Sequence, residues 1–443
     1  MGALEKRLSS SQIIILGFAT VIFGGSLLLM LPFAVRDGQE VAFVDALFTA
    51  TSAVCVTGLV VKDTATCWTG FGQAVILLLI QVGGMGVITV AVAVAVISGK
   101  KISLKQRSTM QEAISAHQVG GIVRLTGYII RVTVFLEILG AAFMAPSFCR
   151  EFGIGRGIWY ALFHSISAFC NAGFDLMGSR SPYSSLTSFA SNQVVNFTVM
   201  ALIVTGGIGF LTWEDITSNR HHIRKYRMQS KVVLSVTAFL VVIPAVYFFF
   251  FELSGYPLRE RILGSLFQSV TARTAGFNTI ELTGMSEAGL AIMILLMLVG
   301  GSPGSTAGGM KTTTFAVLLS TAVSVFRHRE HAHFFGRRLD GDTVRNAVTI
   351  LMMYLVLFLG GGLVISRVEG AGLLECLFET SSAVATVGLT LGLTPQLGLL
   401  SRMILILLMY IGRVGGLTLI FAALSGNRKG NTARLPQEKM TVG

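Results

Sequence analysis

The sequence predicts an all-α integral membrane protein made of four pseudo-symmetric repeats. Each repeat contains a transmembrane helix, a short re-entrant helix with a loop, and a second transmembrane helix. Of the 443 residues, 53% are hydrophobic and only 13% are charged, and the mean hydropathy is +0.73. Soluble domains carry about 25% charged residues, so an ordinary cytosolic enzyme and a disordered chain are excluded. Five cysteines without paired spacing indicate neither a disulfide framework nor a metal site.

Eight membrane crossings are predicted, because a spanning helix needs about 20 mostly apolar residues. The eighth begins at 288–299, is interrupted by a glycine-rich segment and continues at 310–326. The other seven predicted spans are 12–31, 73–98, 122–145, 192–213, 232–251, 344–366 and 403–424.

Shorter apolar stretches lie between the crossings and are too short to span a bilayer. We expect them to form re-entrant helices, which need protein or a water-filled cavity around their free backbone groups. The four stretches are 43–54, 157–169, 262–272 and 372–384.

Basic residues predict the orientation of the chain. Most of the 34 Lys and Arg residues lie near the termini and in the connectors that follow each second crossing. The positive-inside rule therefore predicts a multi-pass protein of the cell membrane with both termini cytoplasmic. The charge of +12 is explained by this topology, and no nucleic-acid partner is expected.

A motif of Leu-Phe, a Ser/Thr/Ala-rich segment and a glycine occurs four times, with glycines at 58, 173, 276 and 388. Self-similarity at near-equal intervals indicates a repeat architecture. Four units around an axis would form one central pore. The predicted repeats are 1–99, 100–219, 220–327 with a broken second helix at 300–309, and 328–443 with a cytoplasmic C-terminal tail.

The repeated glycines suit a cation filter built from backbone carbonyls. A dehydrated cation needs oxygen ligands in place of water. Glycine permits positive φ, and the C-terminus of a short helix adds partial negative charge. We expect Arg273, beside the third strand, to turn away from the axis and hold a carboxylate or carbonyl. The four candidate filter strands are Val56-Thr57-Gly58, Asn171-Ala172-Gly173, Thr274-Ala275-Gly276 and Thr386-Val387-Gly388.

The segment 300–309 should break the second helix of the third repeat, because Gly costs about 1 kcal/mol and Pro about 3 kcal/mol in a helix interior. Such a loop could gate the pore, or it could be a passive kink between packed helices. Its residues are Gly300, Gly301, Ser302, Pro303, Gly304, Ser305, Thr306, Ala307, Gly308 and Gly309.

Two cations lie within predicted membrane segments, Lys311 and Arg413. Intramembrane cations are costly and are functional candidates by default. We hypothesise that Arg413 donates to carbonyls or hydroxyls of the 300–309 loop, holds it across the pore and repels cations. A purely structural hydrogen bond is the alternative. For Glu137 we expect a helix–helix hydrogen bond.

The four strands, the segment Gly300–Lys311 and the segment Ile411–Leu417 resemble the pore-forming subunits of the Ktr/Trk potassium uptake superfamily, nearest the bacterial Ktr type. The resemblance implies one K⁺ path per chain, coordinated by filter carbonyls only, and a loop that acts as the gate. In related transporters a serine at the first filter glycine accompanies Na⁺ preference, so Gly58 favours K⁺. Pro303 departs from the family pattern.

The resemblance also implies partners. It implies a membrane homodimer on a cytoplasmic ring of the regulator-of-potassium-conductance type. That ring would bind a nucleotide such as ATP or ADP, whereas this chain would bind no cofactor and carry K⁺ as substrate.

The function predicted is gated K⁺ uptake driven by the membrane potential, with Na⁺ stimulation left open. One alternative is a less selective pathway for Na⁺ or ammonium. Alternatives from other classes are an intramembrane hydrolase and a non-conducting scaffold. His164 and Ser167 share a short helix without an orienting acid, so an enzyme is not predicted.

Overall fold

The structure is a computed structural model that describes residues 8–98, 102–114, 121–416 and 418–419. The predicted C-terminal tail lies outside the described residues. Helices dominate the described part, and a two-stranded hairpin, β1 (His333–Phe334) and β2 (Arg337–Arg338), is the sheet found there.

The helices follow one another in four groups along the chain. The first group is α1 (Ser10–Leu29), α2 (Phe43–Val54), α3 (Gly70–Met85) and α4 (Val87–Ile97). The second is α5 (Leu104–Ala113), α6 (Ile122–Phe152), α7 (Ile154–Phe169), α8 (Gln193–Gly207) and α9 (Phe210–Asn219). The third is α10 (Met228–Tyr247), α11 (Leu258–Thr271), α12 (Glu287–Leu298) and α13 (Thr312–Phe326). The fourth is α14 (Gly341–Glu369), α15 (Leu373–Val384) and α16 (Leu399–Val414).

Four helices of the described part are long and apolar enough to cross a membrane by themselves: α1, α6, α10 with its π-helical extension to Glu252, and α14. Their most apolar windows are only 22–39% buried inside the protein, so much of each helix presents apolar side chains outward. Such outward faces match a lipid environment, where every backbone group is satisfied within the helix. The bent pairs α3–α4 and α8–α9 raise the number of candidate spans in this part to as many as six.

The predicted spans 73–98 and 192–213 are each a bent pair of helices, and the span predicted over 403–424 is interrupted after Val414 within the described residues. The chain bends by 94° between α3 and α4 and by 96° between α8 and α9, and α16 ends at Val414. The breaks contain Gly86, Gly209 and Gly415, with φ of +86°, +90° and +89°. These angles are incompatible with an α-helix and are readily adopted only by glycine. The interruption predicted between 288–299 and 310–326 is confirmed by the separation of α12 from α13.

The four predicted short helices are confirmed as α2, α7, α11 and α15, although α7 and α11 begin three and four residues earlier than expected. Each packs beside the long helix that precedes it: α1, α6, α10 and α14, respectively. The phenylalanine of each Leu-Phe motif anchors its helix in the core, and burying such a ring contributes about 1.5–3 kcal/mol. These residues, all fully buried, are Phe48, Phe163, Phe267 and Phe378.

Candidate ion pathway

The four short helices end at four tight turns, which we call the glycine turns: Val56–Gly58, Asn171–Gly173, Thr274–Gly276 and Thr386–Gly388. In each turn both the first residue and the glycine have positive φ, from +51° to +63° for the first residues and from +67° to +96° for the glycines. Val56, Thr274 and Thr386 are β-branched, so a left-handed backbone is strained there. Strain of this kind persists only where the surrounding structure enforces it.

The glycine turns form a closed ring. A Cβ atom added to Gly58 would meet the carbonyl oxygen of Ala172, the residue before the glycine of the second turn. Gly173 approaches the third turn in the same way, Gly276 the fourth, and Gly388 the first. Every one of these approaches is closer than 3.0 Å, which real Cβ atoms essentially never show. The ring therefore excludes a side chain at each of its four glycines.

Short-helix hydroxyls hold the first and fourth turns through the glycine amide. The N–H of Gly58 donates to Oγ of Ser52 at 3.0 Å, and the N–H of Gly388 donates to Oγ of Ser382 at 2.9 Å. Both hydroxyls lie six residues before the glycine, so helix and turn are tied together by a local bond.

The second and third turns are held in a different way. Oγ of Ser167 donates to the carbonyl of Phe174 at 2.8 Å, and Oγ1 of Thr271 donates to the carbonyl of Phe277 at 2.5 Å. Each phenylalanine directly follows the glycine of its turn. Two of the four carbonyls immediately after the ring are therefore bonded to their own helices.

Three hydroxyls within the glycine turns have no hydrogen-bond partner. They belong to Thr57, Thr274 and Thr386, which are fully buried. Buried polar groups in native proteins nearly always have a partner, so each exception needs an explanation. Oxygen atoms without donors, in turns that approach one another through backbone carbonyls, are suited to contact a cation.

The glycine-rich loop, residues 300–309, lies against both the second helix break and the glycine turns. The N–H of Phe210 donates to the carbonyl of Gly304 at 2.8 Å, and the N–H of Ser302 donates to that of Gly207 at 2.9 Å. Gly308 abuts the hydroxyl of Thr386 so closely that a Cβ atom would not fit. The loop therefore bridges the α8–α9 break and the fourth turn.

Two cations bind consecutive carbonyls of this loop. The guanidinium of Arg413 donates to the carbonyl of Thr306 and to those of Gly83 and Gly84. Nζ of Lys311 donates to the carbonyl of Ala307 at 2.9 Å. The predicted contact of Arg413 with the loop is thus confirmed, and in the described part neither cation forms an ion pair with a carboxylate.

A cavity of about 260 Å³ adjoins the loop. Its lining includes Ser305, Gly309, Lys311, Arg413 and Tyr354, and it extends to the helix breaks, but the glycine turns do not contribute to it. The loop therefore separates this cavity from the ring.

For Arg273 the expected contact with a carboxylate or carbonyl is wrong, and its turn away from the axis stays a prediction. Its side chain is buried, with 6% of its surface exposed, but within the described residues it binds neither a carboxylate nor a carbonyl, and its Nε has no acceptor. The helix–helix bond expected for Glu137 is confirmed, because Nε2 of Gln81 donates to its Oε2 at 3.1 Å.

Sequence reasoning missed that the glycines beside the helix breaks lie against the ends of the short helices. A Cβ atom on Gly83, Gly206 or Gly412 would clash with the last carbonyl of a short helix, at Val54, Phe169 and Val384 respectively. The sequence contains a signal for this packing, because each break glycine, at 86, 209 and 415, has another glycine three residues before it. These glycines let the second helices approach the ends of the short helices.

Asp175 is a second residue that sequence reasoning missed. It is the acid two residues after Gly173, where the other repeats carry Val60, Asn278 and Thr390. Its Oδ1 accepts from the N–H of Met177 at 2.8 Å. Removal of water by the surrounding protein, together with the nearby Asp63, raises the pKa of this carboxyl to about 7, against the lowering effect of the Met177 hydrogen bond.

A family model described as TrkH, cation transport protein, matches residues 6–429 of this chain. The chain belongs to the TrkH family. Membership confirms the predicted resemblance and makes the protein a member of a transport family rather than an enzyme family.

Named relatives cover nearly the full length of the chain. The potassium/sodium uptake protein NtpJ of Enterococcus hirae is 41% identical, covering 99% of this chain and 98% of its own. The Ktr system potassium uptake protein B of Bacillus subtilis is 37% identical, covering 94% and 93%. The crystal structure of the potassium transporter TrkH from Vibrio parahaemolyticus superposes with a TM-score of 0.74 at 19% identity, covering 93% of this chain and 84% of that one. The fold is therefore that of a TrkH-type transporter.

The two residues considered for hydrolase chemistry are engaged elsewhere. The Ser167 hydroxyl donates to Phe174, and Nε2 of His164 accepts from the N–H of Leu176 at 3.4 Å. They do not form the nucleophile–base pair that hydrolysis requires.

Proposed function

We propose that this chain is the pore-forming subunit of a Ktr-type potassium uptake system and conducts K⁺ through a gated, channel-like pore. The observation that carries this proposal is the closed ring of glycine turns with its unpartnered oxygens. Carbonyl rings replace the hydration shell of an ion entering a filter. The relatives named for potassium uptake support K⁺ as the ion carried.

The filter consists of the four glycine turns, and K⁺ is coordinated by their backbone oxygens. Small residues beside each glycine leave room for an ion on the axis, and Gly58 in the first turn favours K⁺ over Na⁺. The filter residues are Val56, Thr57, Gly58, Asn171, Ala172, Gly173, Thr274, Ala275, Gly276, Thr386, Val387 and Gly388.

Each turn belongs to one of four pseudo-symmetric repeats around the pore, with bounds 1–99, 100–219, 220–327 and 328–443. The protein lies in the cell membrane with both termini cytoplasmic. The side-by-side packing of one long and one short helix in each group supports the arrangement in repeats.

The glycine-rich loop is the gate of this pore. It lies against the ring, and the cations Arg413 and Lys311 hold its carbonyls. Their positive charges also repel K⁺, because charges in a low-dielectric interior are weakly screened. Opening the pore requires these hydrogen bonds to break.

The complete transporter is a homodimer on a cytoplasmic nucleotide-binding ring. The relatives called Ktr system proteins support an assembly of several components. ATP or ADP would bind to that ring and not to this chain. Stimulation of uptake by Na⁺ stays a prediction.

Uptake of K⁺ by a host that lacks its own K⁺ transporters tests the proposal. The wild-type chain should restore growth on limiting K⁺, and Gly388→Asp should abolish the rescue, because the ring cannot accept a side chain there. Gly24→Ala on α1 is the matched control, since nothing lies within 4 Å of an added Cβ. Failure of the wild type to transport K⁺, or normal transport by Gly388→Asp, would refute the proposal.

A less selective monovalent cation pathway is the second candidate. It is favoured by the bonding of the Phe174 and Phe277 carbonyls to their own helices, which leaves an incomplete set of ligands beyond the glycines. Uptake assays with Na⁺ and ammonium as competitors would distinguish it, because this candidate predicts that either ion reduces K⁺ uptake at equal concentration.

A further inference from the structure

The four short helices each carry a polar residue directly after the buried phenylalanine of the motif. These residues are Thr49, His164, Gln268 and Glu379, and all are fully buried. They occupy the same position in the four motifs but make different contacts. This difference leads to an inference about ion selection that rests on the proposed filter.

Three of the four residues form at most a weak hydrogen bond with the segment that follows their own glycine turn. Thr49 donates to the carbonyl of Asp45 within its own helix. Oε1 of Gln268 has no partner. His164 bonds to the carbonyl of Tyr160 within its own helix at 2.7 Å and accepts one long bond, at 3.4 Å, from the N–H of Leu176.

Glu379 is bonded much more extensively. Its Oε1 accepts from the hydroxyl of Thr390 and from the N–H of Leu391 at 3.2 Å, and its Oε2 accepts from the hydroxyl of Thr394 at 2.5 Å. In the described part it forms no ion pair with Lys or Arg. Both carboxyl oxygens are therefore used to hold residues 390–394, the segment that follows the fourth glycine turn.

The geometry points to Glu379 as a positioning residue for ion selection, which fixes the exit of the fourth glycine turn and so sets its carbonyl positions. Thr386 has a φ of +52°, a left-handed conformation that is strained in a β-branched residue and persists only where neighbouring contacts hold it. Ligand groups must keep their positions to within about 0.5 Å to discriminate between similar ligands. Glu379 supplies that restraint from behind the turn, without touching the ion.

Uptake of K⁺ and Na⁺ by the full-length chain in the transport-deficient host tests this role. Glu379→Leu removes all three acceptor contacts and should lower the ratio of K⁺ to Na⁺ uptake by about tenfold. The double variant Thr390→Val/Thr394→Val removes the two hydroxyl donors and should lower the ratio in the same direction. Glu379→Gln keeps a carbonyl acceptor of the same size, so it should restore part of the lost discrimination.

Thr380→Val is the matched control on the same helix. Its hydroxyl donates to the carbonyl of Phe358 at 3.1 Å, on α14, and does not reach the turn. This variant should change thermal stability without changing the K⁺/Na⁺ ratio. Gln268→Leu on α11 should also leave the ratio unchanged, because within the described residues the side-chain oxygen has no partner and Nε2 donates only to the sulfur of Met293 on α12 at 3.7 Å.

An unchanged ratio in Glu379→Leu and in the threonine double variant would overturn the positioning role, provided that the wild type takes up K⁺. Where Glu379→Leu does not reach the membrane, the threonine variants and Glu379→Gln decide the question. An equal loss of selectivity in Thr380→Val would also overturn the inference, because it would trace the effect to general loosening of α15. Failure of the wild type to transport K⁺ would instead refute the proposed function.

Discussion

The guanidinium of Arg413 on α16 donates a hydrogen bond to the backbone carbonyl of Thr306, 107 residues earlier in the chain. The same guanidinium reaches the carbonyls of Gly83 and Gly84 at the end of α3. One side chain thus joins the last described helix, the first bent helix pair and the glycine-rich loop. A charge that binds three carbonyls without a carboxylate partner is well suited to hold a loop in a position from which it can later be released.

Replacing Arg413 by Ala should raise basal K⁺ flux, because the loop loses a charge-assisted bond and the pore loses a positive barrier. Charge-assisted hydrogen bonds contribute about 1.5–3 kcal/mol, so the increase should be about tenfold or more. Flux of the purified chain in proteoliposomes would test this prediction. Arg402→Gln on the same helix is the control, since Arg402 pairs with Asp45 and does not contact the loop. A lower flux in Arg413→Ala with folding intact would contradict the role of Arg413 in holding the loop closed.

Gly83→Ala should destabilise the protein, because the new methyl group would clash with the carbonyl of Val54 at the end of α2. Overpacking of this kind costs about 1–3 kcal/mol. Thermal unfolding in detergent would measure the loss, and Gly24→Ala would serve as the control in an exposed helix position. Equal melting temperatures for the two variants would show that α3 and α2 do not approach as closely as described.

K⁺ uptake at limiting K⁺ should fall as the external pH decreases through about 7. The pKa of Asp175 is raised to about 7, so its carboxylate is charged above that pH and neutral below it. A negative charge near the pore entrance raises the local cation concentration, and protonation removes it. Asp175→Asn should show low uptake across the range and no pH step near 7. A step of unchanged size in that variant would assign the titration to another group.

Ser52→Ala and Ser382→Ala should destabilise the protein more than Ser167→Ala does. The first two changes leave a buried glycine N–H without an acceptor, whereas the third leaves a carbonyl without one donor. An unsatisfied buried polar group costs about 1–3 kcal/mol, and orphaned N–H groups are tolerated least. Chemical unfolding of the three variants in detergent would rank their stabilities. An equal loss of stability in all three would contradict the distinction between turns held through the glycine amide and turns held through the next carbonyl.

The sequence was sufficient to locate the membrane character, the four short helices and the four glycines, because each depends on local pattern. Residues 43–54 are apolar and a dozen long, and they form α2 with those bounds. The interruption at 300–309 was also predictable, since five glycines and Pro303 cannot continue a helix. The contact of Arg413 with the loop followed from the cost of leaving a cation unpaired in a membrane.

The helix breaks and the distant contacts of buried side chains were not predictable from local pattern. The apolar run 73–98 is long enough for one straight helix, and its glycines at 83 and 86 permit a break without fixing the 94° bend. The bend exists because α3 must reach the end of α2 and Arg413, which lies more than three hundred residues away in the chain. Arg273 was expected to find an acceptor, but which groups surround a buried side chain depends on how distant helices pack.

Composition and repetition by themselves determined that this chain spans a membrane and presents four equivalent glycines, since both depend on residues close together in the sequence. Only the tertiary structure decided that the four glycines meet in one ring, that two turns are held by their amides and two by their carbonyls, and that Glu379 secures the fourth. These relationships join residues that are far apart in the chain or identical in local pattern. They arise when close packing assigns each buried polar group its partner.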